Sequence, residues 1–176
     1  MKESHIRRHL DYIYFVQETE DYQMTAQAEA YARDVLDDEL AGDEAVSKIL
    51  DEYGLSANSD TSESPDGFYP NSEVFINYLG LHNQQLLDEV ETLIVSVRMA
   101  ELLKSDYDGT FDFDYLKVVH HHLFSDLYPF AGEPRYVSIN QRTMFCLPQY
   151  IEKMAGEIFG NRLMVTWFNG LGNFLQ

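Results

Sequence analysis

Cysteine is almost missing from this sequence. The single thiol, Cys146, excludes a disulfide framework and a cysteine-based zinc site. Basic residues are also scarce, with 12 Lys and Arg against 30 Asp and Glu for a net charge of −18. The basic footprint that non-specific binding to nucleic acid or anionic lipid requires is therefore absent. No apolar run approaches the ~20 residues of a membrane-crossing helix. Met1 to Tyr12 lacks the uninterrupted apolar core of a signal peptide. The expectation is a soluble, cytoplasmic protein with no nucleic-acid and no membrane partner. Internal repeats, a phosphate-binding glycine loop, a nucleophile–base pair and the alternating ligands of a calcium loop are all missing.

What is present is apolar mass: 45% of the 176 residues are apolar and 14% aromatic, enough for one domain or one domain with a small appendage. Ile6, Leu10, Ile13, Tyr14 and Val16 recur at near-helical spacing within residues 5–23. Acidic residues Glu18 to Asp21 oppose the macrodipole and place the helix end there. Thr25 is a candidate cap for a helix from Ala26 to about Asp37. Ala45, Val46, Ile49 and Leu50 stripe a third helix, from about Asp43 to Glu52, with Gly54 as its stop. Three such short helices make a unit too small to stand alone.

Residues 56–68 are polar up to Gly67 and read as a flexible linker. The spacing of Leu86, Val90, Leu93, Ile94, Val97, Ala100 and Leu103 predicts a long helix over about Asn83–Lys104. Another helix starts at Asp112 or Asp114, with Leu116, Val119, Leu123 and Leu127 on its apolar side. Tyr128-Pro129 breaks it, and Ala131-Gly132 permits a tight corner. Arg135 to Ile139 alternates like a half-exposed strand, with Gln141, Arg142 and Thr143 as the turn of a ribbon. Leu147-Pro148 opens a last helix through Ile151, Met154, Ala155 and Ile158. Beyond Gly160 no helix is assigned.

Several constellations draw attention, each with a plain alternative. His120, His121 and His122 are adjacent and point in three directions, whereas a helical metal site wants ligands three or four residues apart. One packed histidine and two at the surface is the expectation. Arg135 either stitches the corner to acidic neighbours or meets an anionic ligand. The ribbon is either a structural hairpin or an exposed edge that accepts a partner's strand. Cys146, between Phe145 and Leu147, reads as a buried structural thiol. Asp37-Asp38-Glu39 and Asp43-Glu44 read as a solvated face.

Three stretches resemble the Fic family of nucleotidyltransferases. Y-P-N-S-E-V-F-I-N-Y-L-G-L (Tyr69 to Leu81) is similar to the entry segment of the Fic domain. D-G-T-F-D-F-D-Y-L-K-V-V-H-H-H-L-F-S-D-L-Y-P-F-A-G-E-P-R is similar to its first block, and Ser138 to Phe145 to its active-site flap. The N-terminal region, E-D-Y-Q-M-T with L-D-D-E-L-A-G-D-E-A-V, resembles the small VbhA-type antitoxin module that inhibits Fic domains. The resemblance implies a mostly α fold: a partial, incomplete Fic-type helical domain over 69–176 with a short β-hairpin flap. It is preceded by a small three-helix antitoxin-like module over 1–55 and the linker 56–68.

The resemblance also implies chemistry. Fic enzymes move AMP from ATP·Mg²⁺ to a hydroxyl on a target protein. A histidine serves as general base, an anion hole at a helix N-terminus holds the phosphates, and arginines neutralise developing charge. ATP and Mg are thus the implied cofactors. The flap pairs with the target's backbone, which assigns target or nucleotide contact to Ser138, Ile139, Asn140, Gln141, Arg142, Thr143, Met144 and Phe145. The inhibitory motif Ser/Thr-x-x-x-Glu-Gly/Asn matches at Glu20, with Val16 and Asp21 in place of its other members. The antitoxin module then acts within the chain.

The motif that carries the base, the anion hole and the metal ligand is His-x-Phe-x-Asp/Glu-Gly-Asn-Gly-Arg-x-x-Arg. It does not occur in residues 1–176, so no catalytic residue and no metal ligand is assigned. Gly160-Asn161-Arg162 shares only fragments of it. The 176 residues are accordingly expected not to transfer AMP alone, and apolar faces such as that of Asn83–Lys104 are expected to lose packing partners. The alternative is a non-catalytic regulator or remnant that binds proteins through the antitoxin module and the flap.

Overall fold

The structure is a computed structural model and describes residues 2–19, 22–56, 67–105, 110–135, 140–141, 143–144 and 146–160. Six α-helices lie among these residues, with one pair of two-residue strands. The chain forms two compact units: Met1–Tyr107 with Asp126–Pro129, and Asp108–Ser125 with Phe130–Gln176. The division falls inside the stretch 69–176 that the Fic resemblance assigns to one domain.

In the first unit, α1 (Glu3–Thr19), α2 (Ala26–Leu36) and α3 (Gly42–Glu52) all pack on α4 (Gln84–Lys104). Thr25 caps α2, its Oγ1 accepting from the Ala28 N–H at 3.1 Å. Asn83 caps α4 in the same way, accepting from Leu86 N–H at 3.0 Å. Gly54 ends α3 at φ +64°, the left-handed region that favours glycine.

The long helix departs from expectation. It retains packing partners on more than one side, and Thr92, Ser96 and Arg98 are buried along with Leu87, Val90, Leu93, Ile94 and Val97. Leu86 and Leu103, expected on the apolar stripe, are only half-buried. A helix with neighbours on several faces needs no single stripe. α1 shows a related difference. Ile6, Leu10 and Ile13 are buried as expected, but Tyr14 is exposed, and the polar His9 and Gln17 complete the buried face.

Between α3 and α4, Phe68 bridges Phe75 with their rings 4.4 Å apart. The Ile76 N–H donates to Gly67 O at 2.9 Å. The fully buried Asn77 then staples the turn: its Nδ2 donates to Leu81 O at 2.8 Å, and its Oδ1 accepts from Leu81 N–H at 3.0 Å.

The second unit holds α5 (Phe113–Phe124), β1 (Asn140–Gln141), β2 (Thr143–Met144), a 3₁₀ turn (Pro148–Tyr150) and α6 (Ile151–Phe159). Asp112 is the cap of α5, accepting from Tyr115 N–H at 2.9 Å. The strands pair antiparallel, Asn140 with Met144 and Gln141 with Thr143. Gln141 and Thr143, expected in the turn, therefore belong to the ladder. No residue of α5 is buried, and only Ala155 of α6 is. Among the described residues, the helices that expose large apolar side chains are α1 (Tyr12, Tyr14, Phe15), α5 (Leu116, Val118) and α6 (Met154, Ile158), not α4. Among the described residues no helix is long and apolar enough to cross a membrane.

Candidate functional site

The corner after α5 is built by its histidines. In the second unit the Gly132 N–H donates to His120 Nδ1 at 2.9 Å. His121 Nδ1 lies 3.1 Å from the Ala131 carbonyl, so it carries the proton there. Burial, helped by His121, pushes the His120 pKa below its ordinary 6.5. A neutral His120 with a free Nδ1 lone pair is what the Gly132 bond requires. Two histidines therefore serve the corner: His120 is half-buried, and His121, although at the surface as expected for two of the three, bonds it as well. Among the described residues no group of three or more His, Cys, Asp or Glu is arranged to hold a metal ion.

Arg135 donates from Nη2 to the Cys146 carbonyl, clasping the chain before and after the strand pair. Of its two candidate roles, a stitch is seen, here to a backbone carbonyl. Cys146 is exposed, not buried, and its Sγ donates to Leu147 O at 3.5 Å. Its neighbour Leu147 is likewise 43% exposed, so it does not cover the thiol. Of the flap residues, the backbone of Asn140, Gln141, Thr143 and Met144 is described. Ser138, Ile139, Arg142 and Phe145 lie outside the described residues, as does Glu20.

In the first unit, both sides of Glu20 are anchored on α4. Before it, Gln17 Nε2 donates to Ser96 Oγ at 2.6 Å. After it, the Tyr22 hydroxyl donates to Glu91 Oε1 at 3.2 Å, and Tyr128 donates to Glu91 Oε2. Burial pushes the Glu91 pKa upward, against these two bonds. Arg98, two turns on, is ringed by Asp126 (2.7 and 3.0 Å), Glu101 (2.8 Å) and Asp43 (2.9 Å). These partners hold its pKa above the usual arginine value although burial acts the other way. Two acidic groups that read as a solvated face thus reach cations on α4, Asp43 at Arg98 and Asp38 at Lys104. Sequence reasoning missed Glu91 and Arg98. Their partners stand up to 69 residues away, and no local pattern marks them.

No family model matches the chain. It is 36% identical over 92 residues to the probable protein adenylyltransferase y4lH of Sinorhizobium fredii, covering 52% of this chain and 46% of that protein. It is 36% identical over 90 residues to protein adenylyltransferase VbhT of Bartonella schoenbuchensis, covering 51% of this chain and 19% of VbhT. Two solved structures superpose at TM-score 0.50, both N-terminal Fic domains of Bartonella effector proteins. They are Bep8 from Bartonella sp. 1-1C, at 18% identity, and a Bep from Bartonella sp. AR 15-3, at 20%. Each is matched over 56% of this chain, and over 53% and 52% of its own. Over that part of the chain the fold is that of a Fic domain. The mostly helical architecture agrees with the Fic resemblance of the sequence. The chain spans less than half the length of the curated relatives it matches, and about half of the solved Fic domains.

Proposed function

We propose that this chain is the regulatory and target-facing portion of a Fic-type protein adenylyltransferase that works in the cytoplasm. The reaction moves AMP from ATP, with Mg²⁺, to a hydroxyl side chain of a target protein. The observation that carries this reading is the 36% identity, over about half the chain, to two protein adenylyltransferases. The Fic fold supports it. Residues 1–55 act as an intramolecular antitoxin-like module, 56–68 as its linker and 69–176 as the Fic-type portion. Glu20 is the inhibitory carboxylate. Support for that role is the anchoring of Gln17 and Tyr22, its neighbours on either side, to α4. Residues 138–145 form the flap on which the target's backbone adds as a strand; support is the antiparallel pairing within that stretch.

The histidine base and the Gly-Asn-Gly-Arg anion hole are not among residues 1–176, so these residues alone should not transfer AMP. The test is label transfer from α-labelled ATP to candidate targets. No label is expected with residues 1–176. Label should appear when a polypeptide bearing the His-x-Phe-x-Asp/Glu-Gly-Asn-Gly-Arg motif is added or fused, and rise further with Glu20→Ala. Transfer by residues 1–176 alone would overturn the inactivity. Target capture without label in any combination would favour a non-catalytic regulator.

A further inference from the structure

Glu91 lies in the first half of α4 and gives one carboxylate oxygen to each of two tyrosines. Tyr22 follows α1 in the chain and stands 69 residues away, and Tyr128 comes from the start of the corner, 37 residues away. The Tyr22 end is itself braced. Its N–H donates to Gln17 O at 3.0 Å, and Gln17 Nε2 donates on to Ser96 Oγ at 2.6 Å and Thr92 O at 3.3 Å. The Tyr128 end is braced as well. Tyr128 is 7% exposed, and the carbonyl of its neighbour Leu127 accepts from Tyr78 N–H at 2.8 Å. All these residues belong to the first unit.

A carboxylate in this place is chemically specific. An apolar residue would leave two hydroxyl donors without their acceptor, and each loss is penalised where water is excluded. A hydroxyl or amide offers one acceptor oxygen where two donors converge from different parts of the chain. The carboxylate is desolvated for this, and burial raises the pKa of both Glu91 and Tyr128. Among the described residues, the groups facing Glu91 are Tyr22, Tyr128 and, from its own helix, Asp88. No cation is among those groups, so the two hydroxyls are what hold the charge.

We propose that Glu91 is a positioning residue: a shared acceptor that couples the chain just after α1 to the start of the Tyr128 corner, so that loosening one end loosens the other. The coupling deepens the functional reading and rests on it for its purpose, since Glu20 stands two residues before Tyr22. The same bond that fixes the corner would then fix the approach of the inhibitory segment.

Amide hydrogen exchange on residues 1–176 tests the coupling. Tyr22→Phe should speed exchange at the Tyr78 amide by about threefold or more, and Tyr128→Phe should do the same at the Tyr22 amide. Tyr31→Phe, which removes a hydroxyl from Glu52 at 2.8 Å, is the control and should affect neither. With a shared acceptor, the double variant should depart from the product of the two single effects. The Glu91 carboxyl, followed by carbon NMR, should titrate at higher pH in both single variants, because each loses a donor to the charged form. Effects confined to the mutated side, a double variant equal to the product, or an unmoved Glu91 titration would each overturn the coupling. Glu20→Ala separates the two readings. Coupling that persists while Glu20→Ala leaves AMP transfer unchanged in the motif-complemented protein supports the shared acceptor and removes the inhibitory role. Lost coupling overturns the shared acceptor whatever Glu20 does.

Discussion

The backbone N–H of Gly132 donates to Nδ1 of His120 across 2.9 Å, so a side chain from the end of α5 holds the tight corner that follows it. The bond needs a neutral ring, because a protonated Nδ1 has no lone pair to offer. Burial and His121 lower the His120 pKa in the folded chain. A depressed folded value means stability that is complete above the ordinary ~6.5 and lost as pH falls through the folded value. Exchange at the Gly132 amide, corrected for its intrinsic pH dependence, should therefore accelerate below about pH 6.5. His120→Ala should cost about 1 kcal/mol and abolish that acid step. An unchanged acid step in the variant would assign it to another group.

Gly132 itself has φ +86°, and a Cβ there would stand 2.9 Å from His121 Cβ and 3.2 Å from the Lys117 carbonyl oxygen. Backbone strain and a contact with immovable backbone act together. Gly132→Ala should cost about 2–3 kcal/mol by thermal unfolding. Gly54, at φ +64° with open space around it, isolates the strain alone, and Gly54→Ala should cost about 1 kcal/mol. Equal costs would show that the space around Gly132 does not matter.

The contrast between these sites and the long helix explains what the sequence could say. Thr25, Asn83 and Asp112 cap helices through bonds to residues three positions on, so their signals are local and legible. Tyr128-Pro129 and Gly132 announce the corner for the same reason. The surroundings of α4 are not local. Thr92, Ser96 and Arg98 are buried because α1, α2 and α3 close around the helix, and a one-dimensional stripe cannot register three neighbours. Glu91 draws no reading from the sequence, because nothing local announces Tyr22 and Tyr128 as its partners. The Fic likeness was legible through motifs in order along the chain. The candidate site was legible only as a resemblance at Glu20 and residues 138–145, because the bonds around it join residues far apart in the chain, as Tyr22 and Tyr128 to Glu91.

Arg98 gives the strongest electrostatic prediction. Its guanidinium takes Asp126 in two parallel bonds and still reaches Glu101 and Asp43. A lysine ammonium is a point charge and cannot reproduce that fork. Arg98→Lys should cost about 2–3 kcal/mol in urea unfolding, and Arg98→Met more, since it strands two half-buried carboxylates. Asp43, whose side chain is 91% exposed, is a screened partner, and Asp43→Asn should cost less than about 1 kcal/mol. If Asp43→Asn matched Arg98→Lys, Asp43 rather than Asp126 would be the chief partner.

The row Leu116, Val119, Leu123 and Leu127 reads as one apolar helix face, yet the structure splits it. Leu127 is completely buried and belongs to the first unit, while Leu116 is 51% exposed on α5, near Val118 at 61%. Helical spacing cannot distinguish a face that is covered from one that is open. Removing buried methylenes loses both transfer free energy and packing, so Leu127→Ala should cost about 3–4 kcal/mol. Leu116→Ala and Val118→Ala remove atoms already in water and should stay within about 0.5 kcal/mol. Denaturant midpoints of the three variants decide the matter: a loss at Leu116 or Val118 comparable to that at Leu127 would mean that α5 is covered in solution, and that the apolar surface of the second unit is a packed face.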